Sequence, residues 1–195
     1  MHSGSFSLIC PYKKFRMIRF CFVALLIGLS IGCGRDTRWK GEIEALLNEF
    51  GHRNWIVVAD YAYPCQSSAG IETLFTGQDH FEVLDFVLER IQSAPHIRPR
   101  IRIDRELDFL SDADAPGIED YRSELGRRLR GLEVNSLPHE EIIHALDASS
   151  EFYKILILKT GMTLPYTSVF IELDCGYWSA EKESRLRRAM ANPLH

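Results

Sequence analysis

Apolar positions follow two rhythms along this chain, unbroken branched runs and helical spacing. Helical spacing organises residues 41–50, where Ile43, Leu46, Leu47 and Phe50 share one face, and Gly51 stands where a C-cap would end the helix. Residues 55–59 (Trp-Ile-Val-Val-Ala) form a continuous apolar run before Asp60, as a strand buried on both faces requires. Residues 61–70 read as a loop. Val83, Leu84, Val87, Leu88 and Ile91 return to helical spacing within 81–91, and residues 100–103 alternate as a strand would. An acidic loop over 110–117 leads to a charged helix over 118–130 that stops at Gly131, then a short strand over 132–135. Pro138 opens a helix reaching Ala148. Strands follow at 155–158 and 169–173, separated by a turn-rich loop over 161–166, and residues 179–195 form a charged, helix-patterned surface tail. Strands alternating with helices predict one α/β domain with a largely parallel sheet, and 41–178 accommodates it.

The composition is 46% hydrophobic and 26% charged, which excludes a disordered tail protein, a collagen-like fibre and a polytopic membrane protein. A net charge of −4 advertises no basic surface for nucleic acid. The charge is unevenly placed. Residues 1–32 carry Lys13, Lys14, Arg16 and Arg19 and no acid, so the remainder holds 19 basic against 27 acidic residues, or −8. A basic stretch before the apolar run 20–31 reads as a secretory signal, with Met17 the better start. The run is about twelve residues, against roughly twenty for a spanning helix. Its end, Leu29-Ser30-Ile31-Gly32-Cys33, resembles the lipobox of bacterial lipoproteins, in which the cysteine is acylated and becomes the mature N-terminus. That resemblance implies a signal over 1–32, a lipid on Cys33, a tether over 33–40 and an exported, membrane-anchored protein facing the periplasm or cell exterior; a plain cleaved signal and an uncleaved anchor are the competing readings. Cys65 and Cys175 lie 110 positions apart and are read as free thiols or as a pair, because sequence supplies no distance. There is no CxxC and no metal-ligand spacing.

In a parallel sheet, ligands collect at the carboxyl ends of the strands. Asp60 ends the first strand, His52 precedes it, His139 begins the helix behind Pro138, and Tyr166 precedes the last strand. Two histidines, a carboxylate and a phenol can move protons between oxygens near neutral pH. The same residues equally serve as caps and turn formers.

The context of these residues narrows the choice. A helix, Gly51-His52, the apolar strand, Asp60 and then Pro64 resemble the first block of the RbsD/FucU family of ribose pyranases and fucose mutarotases. Thr160-Gly161, Pro165-Tyr166 and the strand running to Cys175-Gly176 resemble its last block, so the likeness covers roughly 42–176. The acidic loop and the helix around 121–129 look closer to the fucose branch, His139 to the ribose branch. The resemblance implies a three-layer α/β/α domain that assembles into pentameric or decameric rings with pockets at subunit contacts. It implies His52 as the proton donor, and Asp60, His139, Tyr166 and Ser168 as sugar contacts. This sequence has Ser168 where the family has Asn, Met162 where Glu is usual, and about five extra residues between His139 and Gly161.

The implied reaction is isomerisation of a monosaccharide such as ribose or fucose, by proton-assisted opening and reclosure of its cyclic hemiacetal, with no cofactor. In that scheme Asp60 orients His52 or binds a hydroxyl, while His139 and Tyr166 bind sugar or relay protons. A lipoprotein that binds a monosaccharide without turnover is the alternative, motivated by Ser168, Met162 and the export signal. Tyr61, Tyr63 and Phe75 are the candidates for apolar surface between subunits.

Overall fold

A computed structural model describes residues 38–191; the signal, the lipobox and Cys33 fall outside the described residues. In chain order the elements are α1 (Arg38–Glu49), β1 (Trp55–Ala59), β2 (Ile71–Phe75), α2 (His80–Gln92), β3 (Ile97–Asp104), a 3-10 turn (Arg105–Phe109), α3 (Ile118–Arg128), β4 (Val134–Leu137), α4 (His139–Ser150), β5 (Ile155–Lys159), β6 (Val169–Cys175) and α5 (Ala180–Ala191).

The six strands form one sheet in the order β2-β5-β1-β6-β3-β4. β2, β5 and β1 run parallel to one another, and β3 and β4 do the same. β6 lies between the two groups and is antiparallel to both neighbours. Five strands therefore point one way, so the carboxyl ends of β1, β3 and β4 and the amino end of β6 share one edge.

Side-chain alternation splits the core into two layers around the sheet. Ile56, Val58, Leu156, Leu158, Val169 and Ile171 pack against the apolar faces of α1, α2 and α3. Val57, Ala59, Ile155, Ile157 and Phe170 face the other way, onto Ile142 and Leu146 of α4. Each of those two fully buried side chains contributes about 1.5–3 kcal/mol. The expected α/β/α architecture is present.

Several boundaries differ from the sequence reading for local reasons. β2 was not anticipated, because Ile71-Glu72-Thr73-Leu74-Phe75 is a half-exposed edge strand without a continuous apolar run. It enters beneath the end of α4 at Gly70, where a Cβ would stand 2.1 Å from the Ser150 carbonyl oxygen. β3 extends through Pro99, which is tolerated because β4 pairs only from Ile101 onward and leaves that flank open. β4 begins two residues late, since Leu132 closes the turn after α3 by donating its N–H to Leu129 O. Gly51 does not form a left-handed cap: the positive φ in that turn belongs to Arg53, at 74°. Tyr63 is core rather than interface surface, 5% exposed and ring to ring with Phe170. Cys65 and Cys175 are both free, Cys65 exposed and Cys175 half-buried. α5 lies on the surface with no buried residue, as its charge pattern implies.

Candidate active site

At the shared edge of the sheet is a cleft of about 440 Å³, within the range of small-molecule sites. Asp60, Tyr63, Gln66, Asp104, His139, Tyr166 and Ser168 supply its polar groups, and Ile143 and Pro165 are among its apolar walls.

Each side chain has a local reason for its place. Asp60 follows the last residue of β1 and turns the chain by accepting the Ala62 N–H on Oδ1 at 2.8 Å. Its other oxygen, Oδ2, accepts the Ser168 hydroxyl at 3.2 Å. Ser168 is 3% exposed and directly precedes β6. Tyr166 sits in a tight turn with φ 56°, a left-handed conformation costly for an aromatic residue. Its ring meets the His139 ring edge-on at 5.8 Å. His139 is the first residue of α4, placed there by Pro138, and its Nδ1 is 3.0 Å from Asp104 Oδ1.

The loop that carries Tyr166 and Ser168 is tied down from behind. His80 is 1% exposed, with Nδ1 3.3 Å from Thr160 Oγ1 and Nε2 3.1 Å from the Tyr121 hydroxyl. Tyr121 donates to Thr167 O at 2.7 Å, and Thr160 donates to Ala59 O at 2.8 Å. Burial lowers the His80 pKa to about 4, which keeps the ring neutral near pH 7. Met162 occupies the position where Glu was expected, and its side chain packs against the core beneath α1–α3.

Asp60, His139, Tyr166 and Ser168 thus come together, as the sequence suggested. His52 does not join them within one chain. It is exposed beside Arg53, whose N–H donates to Leu173 O near the far end of β6. The five residues of β1, rising about 3.3 Å each, stand between His52 and Asp60. Sequence reasoning missed three cleft residues. Asp104 was hidden inside an Arg-rich alternating stretch, although an acid closing a strand was the signal already used for Asp60. Tyr63 was read as a candidate for subunit contact, and Gln66 lay in a segment read only as loop. The Tyr63 hydroxyl and Gln66 Oε1 are buried with no hydrogen-bond partner among the described residues. Among the described residues no group of three His, Cys, Asp or Glu side chains could hold a metal ion.

A larger groove of about 590 Å³ lies between α2 and β3. Its Asp85 and Arg128 already pair with each other, and no proton-transfer set converges there.

No curated protein sequence matches the chain. Among solved structures, RbsD of Bacillus subtilis, complexed with D-ribose, superimposes with a TM-score of 0.50 at 18% identity, over 71% of this chain and 93% of that one. A fucose mutarotase from Streptococcus pneumoniae in complex with L-fucose gives 0.44 at 25% identity, over 66% and 87%. FucU from Bifidobacterium longum gives 0.46 at 16%, over 68% and 92%. The sequence model of the RbsD / FucU transport protein family matches residues 35–176, and the chain belongs to that family.

Proposed function

We propose that this protein is a monosaccharide isomerase of the mutarotase or pyranase type, acting on an aldose such as ribose or fucose. The observation that carries the reading is the cleft itself. A carboxylate, a histidine and a tyrosine converge there with two buried polar atoms that have no hydrogen-bond partner among the described residues. A sugar ring presents hydroxyls to meet such atoms.

Ring opening needs two proton movements. A base takes the proton of the anomeric hydroxyl, the bond from the anomeric carbon to the ring oxygen breaks, and an acid protonates the departing ring oxygen. Rotation about the freed aldehyde carbon and reclosure give the other anomer, and attack by a different hydroxyl gives the other ring size. Each positioned proton transfer is worth roughly 10²–10⁴-fold. In this reading Asp60, Ser168, Tyr63 and Gln66 hold sugar hydroxyls, and His139 and Tyr166 flank the reacting oxygens.

His52 remains the proposed proton donor, supplied to the cleft by a neighbouring copy in a pentameric or decameric ring. Its exposure at the opposite edge supports that arrangement, since it is free to reach outward. Tyr61 and Phe75, exposed and edge to face at 5.7 Å, offer apolar area for the contact. We also propose export with a lipid on Cys33, a reading supported by the basic stretch at 13–19, the apolar run over 20–31 and the lipobox-like residues 29–33.

The test is exchange NMR of anomeric protons across a panel of aldoses. Exchange on at least one sugar well above the uncatalysed rate is the expected result. Saturable binding with no exchange on any of them would replace this reading with a binding lipoprotein.

A further inference from the structure

We propose that Asp104 is a positioning residue. With Glu106 it clasps His139 so that the ring's Nδ1–H is committed to the Asp104 carboxylate and Nε2 faces the cleft as the proton acceptor. The proposal rests on the ring-opening reading and adds to it the tautomer and the role of one histidine.

The geometry begins at the end of β3. Asp104 is its last residue and is 1% exposed. A carboxylate so buried needs a donor, and among the described residues the ring of His139 is its one hydrogen-bond partner, at 3.0 Å. Two residues on, Glu106 reaches the same histidine by its backbone: both carboxylate oxygens lie 3.1 Å from the His139 N–H, the first amide of α4. Asp-Arg-Glu is thus one short segment holding a single residue by ring and main chain together. Pro138, with φ −52°, fixes the approach from the other side. Tyr166 meets the ring edge-on, which leaves it little room to turn.

A neutral imidazole carries one N–H. If Asp104 is ionised, that hydrogen lies on Nδ1, and the Nε2 lone pair can take the proton of a sugar hydroxyl and return it. The imidazolium formed in between is stabilised by the buried carboxylate beside it, the way an acid behind a histidine acts in hydrolytic triads. Burial pushes the Asp104 carboxyl above its ordinary value, and the hydrogen bond from His139 pulls against that rise. Asp60 and Glu106 add negative charge near Asp104, Tyr166 lies against the His139 ring, and Glu140 and Glu141 follow His139 in the first turn of α4. The opposite arrangement, with the proton on Asp104 and an Nε2–H facing the cleft, would make His139 a donor instead.

The experiment is nitrogen NMR of the ¹⁵N-histidine-labelled full chain near pH 7.5, with His139 assigned from His139→Gln. The expected wild-type spectrum has His139 protonated at Nδ1 and bare at Nε2. Asp104→Asn keeps the shape of the side chain. It is expected to mix the two tautomers and to lower kcat for anomeric exchange ~10-fold or more while KM changes less than about threefold. In a His139→Gln background the same change is expected to add nothing. An Nε2–H in the wild type, or an unaltered tautomer in Asp104→Asn, would overturn the proposal. So would an equal slowing by Asp104→Asn with and without His139, the mark of a structural role. If no aldose is turned over, the ring-opening reading fails, and the tautomer spectra still decide this one.

Discussion

Ser168 and Asp60 are 108 positions apart in the chain, yet the serine hydroxyl donates to Asp60 Oδ2 at 3.2 Å. The bond joins the end of one central strand to the start of its neighbour across the mouth of the cleft, and leaves Asp60 with both oxygens engaged. A carboxylate held on both sides keeps its direction when a sugar hydroxyl arrives. Ser168→Ala should free Oδ2 and raise KM several-fold, with a loss of about 1 kcal/mol in stability. Ser168→Asn, which restores the family's residue, should leave exchange unchanged or raise it. A KM for Ser168→Ala equal to the wild type would show that the bond does not serve binding.

His52→Ala should slow anomeric exchange by roughly 10²–10⁴-fold with the fold intact, because an exposed turn residue adds little to the core. If neighbouring copies complete each cleft, mixing His52→Ala with Asp60→Asn subunits should recover part of the activity that each variant lacks alone. Light scattering on the soluble fragment from Gly34 should give a pentameric or decameric mass. A monomer at micromolar concentration, or no recovery on mixing, would remove the subunit-contact account of His52.

Tyr63→Phe should separate stability from binding. The Tyr63 hydroxyl is buried without a partner among the described residues, and a buried group in that state costs about 1–3 kcal/mol. Its removal should therefore raise the denaturation midpoint while weakening sugar affinity. A midpoint that falls in the variant would mean that the hydroxyl is satisfied in the empty protein.

His80 should make the fold acid-sensitive. Its pKa is about 4 in the fold, against about 6.5 when the chain is unfolded. The unfolded state therefore binds the extra proton first. Stability is complete above pH 6.5 and falls as the pH drops toward 4, by up to roughly 3 kcal/mol. Denaturant titrations should show a shallower acid loss in His80→Gln than in the wild type, and equal slopes would exclude the histidine as the cause.

Intact-mass measurement of the membrane-extracted protein should find a mature chain beginning at acylated Cys33. An unmodified N-terminus would discard the lipoprotein reading of residues 29–33.

Much of the fold was legible in sequence because its central strands are continuous apolar runs and its helices carry clean amphipathic spacing. β1, β5 and β6 fall where those runs lie. β2 escaped because an edge strand need not be uniformly apolar. The antiparallel insertion of β6 escaped because alternating elements specify neither strand order nor direction. Asp60, His139 and Tyr166 could be found because each stands at an element boundary, the last two directly after a proline, whereas Ser168 came only from the resemblance of the last block to the family. Asp104 could not, since an acid amid Arg98, Arg100 and Arg102 looks like one more surface charge until β4 and α4 cover it.

The position of β6 bears on the order in which this protein can form during synthesis. β2, β5 and β1 make one ladder and β3 and β4 another, and no backbone pairing joins the two until β6 arrives between them. That strand is among the last segments to be made, and its partners lie far back in the chain, a topology that folds slowly. The cleft draws Asp60 from the end of one ladder, Asp104 from the other, His139 from the start of the helix after β4, and Ser168 from the residue that leads into the joining strand. A nascent chain that has not yet emerged past residue 175 therefore holds two separate half-sheets and no site. Competence to bind would then arise in a single late event.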